Sequence, residues 1–100
     1  MRVVRFEELD SERLVVGEEP LRVMIISEPF IVLGRFGYQV AFEVYSKKKN
    51  REYVFVAGAV SIAEGLEMIR SETAASFYTG IEFWVQKASS ERTSKYIISA

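Results

Sequence analysis

A run of lysines separates two stretches rich in aromatic and β-branched residues in the middle of the chain, VYSKKKNREYVFV at residues 44–56. Lysine and arginine pair with phosphates, and aromatic rings accept stacked bases. The residues of these types are Tyr45, Lys47, Lys48, Lys49, Arg51, Tyr53 and Phe55. Together these residues could bind a single nucleic-acid strand. The alternative is a solvated hairpin tip, because lysines at such tips discourage the pairing of sheet edges.

The chain lacks the residues that most enzymes and metal sites use. It has no cysteine and no histidine, so thiolate nucleophiles, thiolate metal ligands and the commonest general base are missing. The carboxylates of residues 7–12 do not have the spacing of a calcium loop. The turn at 34–37 has neither the glycine spacing nor the following helix of a phosphate-binding loop. We therefore expect a protein that is not an enzyme and that uses no cofactor.

Length and charge point to one domain with an uneven charge distribution. With 100 residues, 49% of them hydrophobic, the chain can bury a core of its own. The net charge is −1, but residues 1–20 carry three arginines against six carboxylates. Binding of a polyanion must then depend on local cations. The start has no signal-peptide pattern and no apolar run is long enough for a bilayer, so we expect a cytoplasmic protein with no membrane partner.

The order of elements predicts a mainly β chain with one helix. Residues 1–20 form an acidic leader segment that could pack on the domain at 21–100. The predicted strands are one long strand over 21–33 that bends at Pro29, followed by 38–45, 52–57, 81–86 and 96–99. A capping box at Ser61 and Glu64 predicts a helix start. The helix extends towards Thr79, with an apolar stripe of Ile62, Leu66, Ile69 and Phe77.

These residues resemble small OB-fold single-stranded-DNA-binding proteins of archaeal and phage replication systems. The resemblance covers residues 21–99 and lies in GRFGYQVAF at 34–42, TGI at 79–81 and TSKYII at 93–98. It implies a five-stranded, partly open Greek-key barrel with its helix between strands 3 and 4. Ligands lie across strands 2 and 3 of that fold, flanked by the loops after strands 1 and 4. The candidate loop contacts are Arg35, Phe36 and Tyr38, and Arg92 and Lys95.

The register of the central hairpin decides which side chains face outward. A five-residue loop over 46–50 would place Tyr45 opposite Arg51, and would then turn Tyr45, Tyr53 and Phe55 to the outer face. A slip by one residue would instead bury Tyr53 and Phe55. In the fourth strand, Ile81, Phe83 and Val85 are expected inside. Trp84 then lies on the outer face. We expect the N-terminal segment to cover it; the alternatives are that it pairs in a dimer or stacks on a base.

The sequence thus predicts a non-catalytic module that binds single-stranded DNA, or RNA in second place, with little sequence preference. The alternative is a small protein-interaction subunit of a replication assembly, because tyrosine, tryptophan and arginine also anchor protein interfaces. The weak overall charge and the acidic first twenty residues favour that alternative.

Overall fold

The computed structural model describes residues 2–35, 37–91 and 94–100. It contains seven strands, one α-helix and a short 3-10 helix at Phe6–Glu8. The strands and the helix are β1 (Val3–Arg5), β2 (Leu21–Ile25), β3 (Phe30–Gly34), β4 (Gly37–Ser46), β5 (Arg51–Val56), α1 (Val60–Glu72), β6 (Glu82–Lys87) and β7 (Tyr96–Ser99). The prediction of a mainly β chain with one helix is confirmed.

The strands form one mixed sheet around the long strand β4. The pairing order is β1, β3, β4, β2, β6, β7, with β5 on the other edge of β4. Only β1 and β3 are parallel among the paired strands that the structure describes. In this part of the chain no ladder joins β5 to β7, so the sheet does not close into a barrel.

The predicted bent strand corresponds to β2 and β3, which pair with successive parts of β4. Met24 lies opposite Tyr45, and Phe30 lies opposite Ala41. Between the two strands, the amide of Ile26 still donates to the carbonyl of Glu43 at 2.9 Å. Pro29 cannot donate such a bond, and the ladder is interrupted there, as the sequence indicates.

The helix covers one face of the sheet, which we call the inner face. Ile62, Leu66 and Ile69 of α1 are buried, as predicted. They belong to the main core with Val23 and Ile25 of β2, Phe42 and Val44 of β4, Tyr53 and Phe55 of β5, and Phe83 and Val85 of β6.

The helix begins within two residues of the predicted start, but the predicted capping box and the predicted C-terminal end are wrong. The N-cap is Ala59, and no side chain caps the first turn, so Ser61 and Glu64 do not form a capping box. The helix ends at Glu72, where Thr73 donates its hydroxyl to the carbonyl of Ile69 at 2.8 Å. Ala74 follows with a φ of 54°, a left-handed conformation that cannot continue an α-helix. Phe77 therefore lies beyond the helix and is exposed.

The N-terminal segment packs on the outer face of the sheet. Val4, Phe6 and Leu9 cover a second cluster of buried side chains, which consists of Phe30, Val32, Ala41, Val54 and Val56. Further along, the amide of Leu14 donates to Val54 at 2.8 Å and the carbonyl of Gly17 accepts from Lys87 at 2.7 Å. Residues 14–17 thus connect β5 to the end of β6. They lie on the side of the sheet where no ladder joins β5 to β7 in the described residues.

The predicted register of the central hairpin is wrong by one residue. The turn has four residues, 47–50, and Ser46 lies opposite Arg51. Asn50 closes this turn with a φ of 51°, which asparagine tolerates better than most residues. Tyr53 and Phe55 consequently face the helix and are only 7% and 2% exposed. Val54 and Val56, which alternate with these two residues along β5, are buried as well, because the N-terminal segment covers them.

Candidate functional site

An open groove of about 340 Å³ lies on the part of the outer face that the N-terminal segment leaves uncovered. Its floor is formed by β2 and by the facing residues of β4 and β6. In β2, Val23 and Ile25 are buried in the main core, so Arg22 and Met24 point to the opposite side. The lining residues are Pro20, Leu21, Arg22, Val23, Met24, Tyr45, Ser46, Lys47, Lys48, Glu82 and Trp84.

Trp84 and Arg22 form one side of the groove. They are direct partners across the β2–β6 ladder, and the Arg22 guanidinium lies 5.5 Å from the centre of the indole ring. Trp84 is 40% exposed. The prediction that it faces outward, with Phe83 and Val85 inside, is confirmed. The expectation that the N-terminal segment covers it is wrong, since that segment packs on the second cluster instead.

The arginine and lysine side chains of the groove form ion pairs with carboxylates. Glu82 accepts from Nε and Nη2 of Arg22 at 3.1 and 3.0 Å, and its other oxygen lies 3.9 Å from Nζ of Lys47. Lys48 pairs with Glu19 at 3.0 Å. Exposed ion pairs of this kind contribute roughly 0–1 kcal/mol each. A phosphate could therefore replace these carboxylates as the partner of the cations at little cost.

Tyr45 positions the lysine turn from the β4 side. The half-buried ring lines the groove, and the hydroxyl donates to Oδ1 of Asn50 across the turn. Below it, Oγ of the buried Ser46 accepts from the amide of Lys49 at 3.3 Å. These two bonds fix the turn that presents Lys47 and Lys48 to the groove.

The structure separates the other predicted residues from this groove. Lys49 and Arg51 lie near the Tyr53 ring, at 5.7 and 5.5 Å, and Arg51 pairs with Glu12 at 3.3 Å. The burial of Tyr53 and Phe55 removes both from any outer aromatic face.

The predicted loop contacts also lie elsewhere. Arg35 and Tyr38 are exposed at the β3–β4 turn, at the far end of β4 from the groove. Lys95 is exposed in the segment before β7. Phe36 and Arg92 lie outside the described residues. Of the predicted set, the groove brings together Tyr45, Lys47, Lys48 and Trp84.

Sequence reasoning missed Arg22, Met24 and Glu82. The alternation that placed Trp84 outside also applies to LRVMI at 21–25, and would have placed Arg22 and Met24 on one face. What the sequence could not supply is the pairing of β2 with β6, which brings Arg22 beside Trp84.

The shifted pKa values belong to a different region, around the segment that follows α1. Hydrogen bonds from Arg70 and Tyr78 lower the pKa of Glu67 to about 2. The pKa of Glu28 is lowered chiefly by the hydroxyl of Thr79, which donates to it at 2.6 Å. Burial and the bond to Glu67 raise the pKa of Tyr78. These contacts tie the segment after the helix to the β2–β3 bend and to α1.

The described residues contain no cluster of three or more acidic, histidine or cysteine side chains that could hold a metal ion. Nor does this part of the chain include a helix with the length and apolarity needed to cross a bilayer. Comparison with family models, curated proteins and solved structures finds no match to this chain.

Proposed function

We propose that the groove beside Trp84 binds a single nucleic-acid strand without catalysis and with little sequence preference. The observation that carries the proposal is the position of the partly exposed Trp84 in a groove that Lys47 and Lys48 also line. An aromatic platform beside cations supplies both components of single-strand binding. DNA is the favoured ligand because of the resemblance to single-stranded-DNA-binding proteins.

Each component has a physical role. A base stacked on the indole of Trp84 contributes roughly 1–3 kcal/mol whatever the base is, since every base has a π-face. Arg22 already lies over this ring, and its guanidinium could pair with the adjoining phosphate. Lys47 and Lys48 are highly exposed at the opposite side of the groove and could follow the backbone. Of the three predicted aromatic rings only the half-buried Tyr45 lies in the groove, and Trp84 takes the place of Tyr53 and Phe55 as the stacking platform.

We further propose that the fold is a variant of the OB arrangement. With β2 and β3 counted as one bent strand, five strands follow the leader segment and α1 stands between the third and the fourth. OB folds bind ligands mainly across strands 2 and 3. The groove instead involves the bent strand, the end of the next strand, the lysine turn and the fourth strand. The binding site of this chain would therefore be displaced from that position.

A second candidate function is the binding of a protein segment in the same groove. The observation that favours it is the pairing of Arg22 and Lys47 with Glu82 and of Lys48 with Glu19, which leaves little unpaired positive charge. Tryptophan, tyrosine and arginine are also the residues that dominate protein interfaces. Such a partner would make the chain an interaction subunit of a larger assembly.

The decisive experiment is a titration of labelled oligo-dT followed by fluorescence anisotropy at low and at physiological salt. Trp84 is the only tryptophan of the chain, so its emission reports on the groove directly. We expect saturable binding with quenching of Trp84. Trp84→Ala should weaken binding at both salt concentrations, by about 5- to 150-fold for a stack of ~1–3 kcal/mol.

The lysines should affect the salt dependence instead. Replacing both Lys47 and Lys48 by alanine should lower the slope of log affinity against log salt by about 0.7 for each phosphate that the variant no longer neutralises. The matched controls are Phe77→Ala, an exposed aromatic residue outside the groove, and Lys49→Ala with Lys95→Ala, two exposed cations outside it. Equal effects in the controls, or flat anisotropy at low salt, would contradict the proposal and favour a protein ligand.

A further inference from the structure

The inner face of the sheet continues beyond the helix, and no element among the described residues covers it at the β1–β3–β4 end. Val3 lies opposite Ile31, which lies opposite Val40, and Leu33 lies opposite Tyr38. Because directly paired residues share a face, these five side chains form one apolar surface, which we call the ledge. Val3, Tyr38 and Val40 are exposed, whereas the next residue of this parity, Phe42, is buried in the main core.

Cations border the ledge. Arg5 pairs with Leu33 in the β1–β3 ladder and so points to the same side, and Arg35 is exposed in the turn between β3 and β4. The ion pair of Arg5 with Glu7 is long, at 3.9 Å, and both side chains are largely exposed. A pair of this kind does not neutralise the arginine to a useful extent. The ledge is thus an apolar surface with a positive rim.

The outward side of α1 has the complementary properties. Glu64, Met68 and Glu72 follow one another at four-residue spacing and therefore form one stripe. All three are exposed, whereas Ile62, Leu66 and Ile69 on another side of the helix are buried. We call this stripe the acidic helix face. It is an exposed methionine between two carboxylates.

We propose that the ledge of one molecule binds the acidic helix face of a second copy of the chain. In the molecule itself, α1 covers the other part of the same sheet face, so a helix on the ledge would extend a packing that the fold already uses. The positive rim and the two carboxylates favour this contact. Ledge against ledge, or helix against helix, would oppose like charges, which is unfavourable.

This contact joins two different surfaces, so it is heterologous. Each molecule retains a free ledge and a free helix face, and association continues until a ring closes or an open chain forms. The ledge lies on the inner face of the sheet and the groove beside Trp84 lies on the outer face. Association therefore does not depend on the proposed nucleic-acid binding.

Sedimentation velocity over a concentration series at low salt tests the proposal. We expect the wild-type chain to show concentration-dependent species larger than a monomer, and more salt to reduce them. Arg5→Glu with Arg35→Glu reverses the rim of the ledge, and Glu64→Lys with Glu72→Lys reverses the helix face. Each double variant alone should raise the dissociation constant at least about tenfold, because like charges then meet. An equimolar mixture of the two should recover association.

Controls separate this result from unspecific effects of charge. Lys48→Glu with Lys49→Glu changes the net charge as much as the ledge variant does, but at exposed positions in the turn at 47–50, outside both surfaces, and should associate like the wild type. Tyr38→Ser should weaken association without a change of charge. A wild type that stays monomeric up to about 1 mM, where even a millimolar dissociation constant populates dimers, would overturn the proposal. So would a helix-face variant that associates as the wild type does.

Discussion

Glu82 occupies the position in the groove that a phosphate would need. Its two oxygens reach both Arg22 of β2 and Lys47 of the turn at 47–50, which have no other carboxylate partner among the described ion pairs. A bound strand would have to compete with this carboxylate. If the groove binds a nucleic-acid strand as proposed, this side chain would lower its affinity for the phosphates.

We predict that Glu82→Gln tightens the binding of oligo-dT. The glutamine preserves the size of the side chain but removes its charge, so Arg22 and Lys47 become available to phosphates. The affinity at low salt should rise by about two- to fivefold, which corresponds to ~0.5–1 kcal/mol for a partly exposed ion pair. The salt dependence should become steeper, because more cations then contact the strand. Anisotropy titrations at several salt concentrations measure both effects.

Glu8→Gln provides the matched control. It removes the same charge from an exposed position on the N-terminal 3-10 helix, outside the groove. If Glu8→Gln and Glu82→Gln raised the affinity equally, the gain would reflect net charge alone, and the specific competition by Glu82 would be disproved.

At the residue scale, alternation succeeded where one face of a strand is solvated. It placed Trp84 outside and Phe83 inside because β6 has one buried and one open face. It failed for Tyr53 and Phe55 because β5 is buried on both faces, by α1 on one and by the N-terminal segment on the other. A strand with apolar residues of both parities does not reveal its register, so only the partner elements could decide it.

At the scale of elements, α1 lies unusually close to β7. A Cβ built on Gly65 would come within 2.6 Å of Cβ of Ile98 and 3.1 Å of both its γ-carbons. A glycine in the interior of a helix ordinarily weakens it, by about 1 kcal/mol relative to alanine. In the structure its missing side chain is what allows the helix and the last strand to pack.

We predict that Gly65→Ala destabilises the protein although alanine is the better helix former. The gain in helix propensity is about 1 kcal/mol, whereas overpacking of a close contact costs roughly 1–3 kcal/mol. Since 2.6 Å is too short for any pair of non-bonded carbon atoms, α1 or β7 must shift, and we expect the cost to exceed the gain. Urea unfolding measures the change in the free energy of unfolding.

Gly17→Ala is the matched control, because a Cβ at that glycine meets no atom within 4 Å. It should leave the free energy of unfolding almost unchanged or raise it slightly. A Gly65→Ala variant as stable as Gly17→Ala would show that the helix and β7 do not approach each other as described.

The elements themselves were largely predictable, whereas their partners were not. Strand positions follow from alternation and from the turn residues at 34–37 and 47–50, and the structure has strands there within about two residues, the usual uncertainty of such boundaries. The leader segment was harder, because the three residues VVR at 3–5 allow a strand or a turn and do not indicate a partner strand. Its parallel pairing with β3 depends on contacts that are distant in sequence.

At the scale of the whole molecule, the N-terminal segment connects the two buried clusters. Its first part covers the second cluster on the outer face, and Leu14 belongs to the main core beneath the helix. The same segment hydrogen-bonds to β5 through Leu14 and to β6 through Gly17. Because of these contacts we expect the segment to unfold together with the rest of the molecule, in contrast to a leader that can detach while the rest remains folded.

We predict that Leu14→Ala lowers the stability of the entire molecule. Leu14 is 5% exposed, and truncation of a buried leucine typically costs about 2–5 kcal/mol, a large share of the ~5–15 kcal/mol that stabilises most domains. Urea unfolding followed by far-UV circular dichroism and by Trp84 emission should give one shifted midpoint for both signals. Val15→Ala changes the neighbouring side chain, which is 81% exposed, and should leave both midpoints in place. A detachable leader would give the opposite result, with midpoints unaffected by Leu14→Ala, because the strand that contains Trp84 would then unfold independently of residues 2–17.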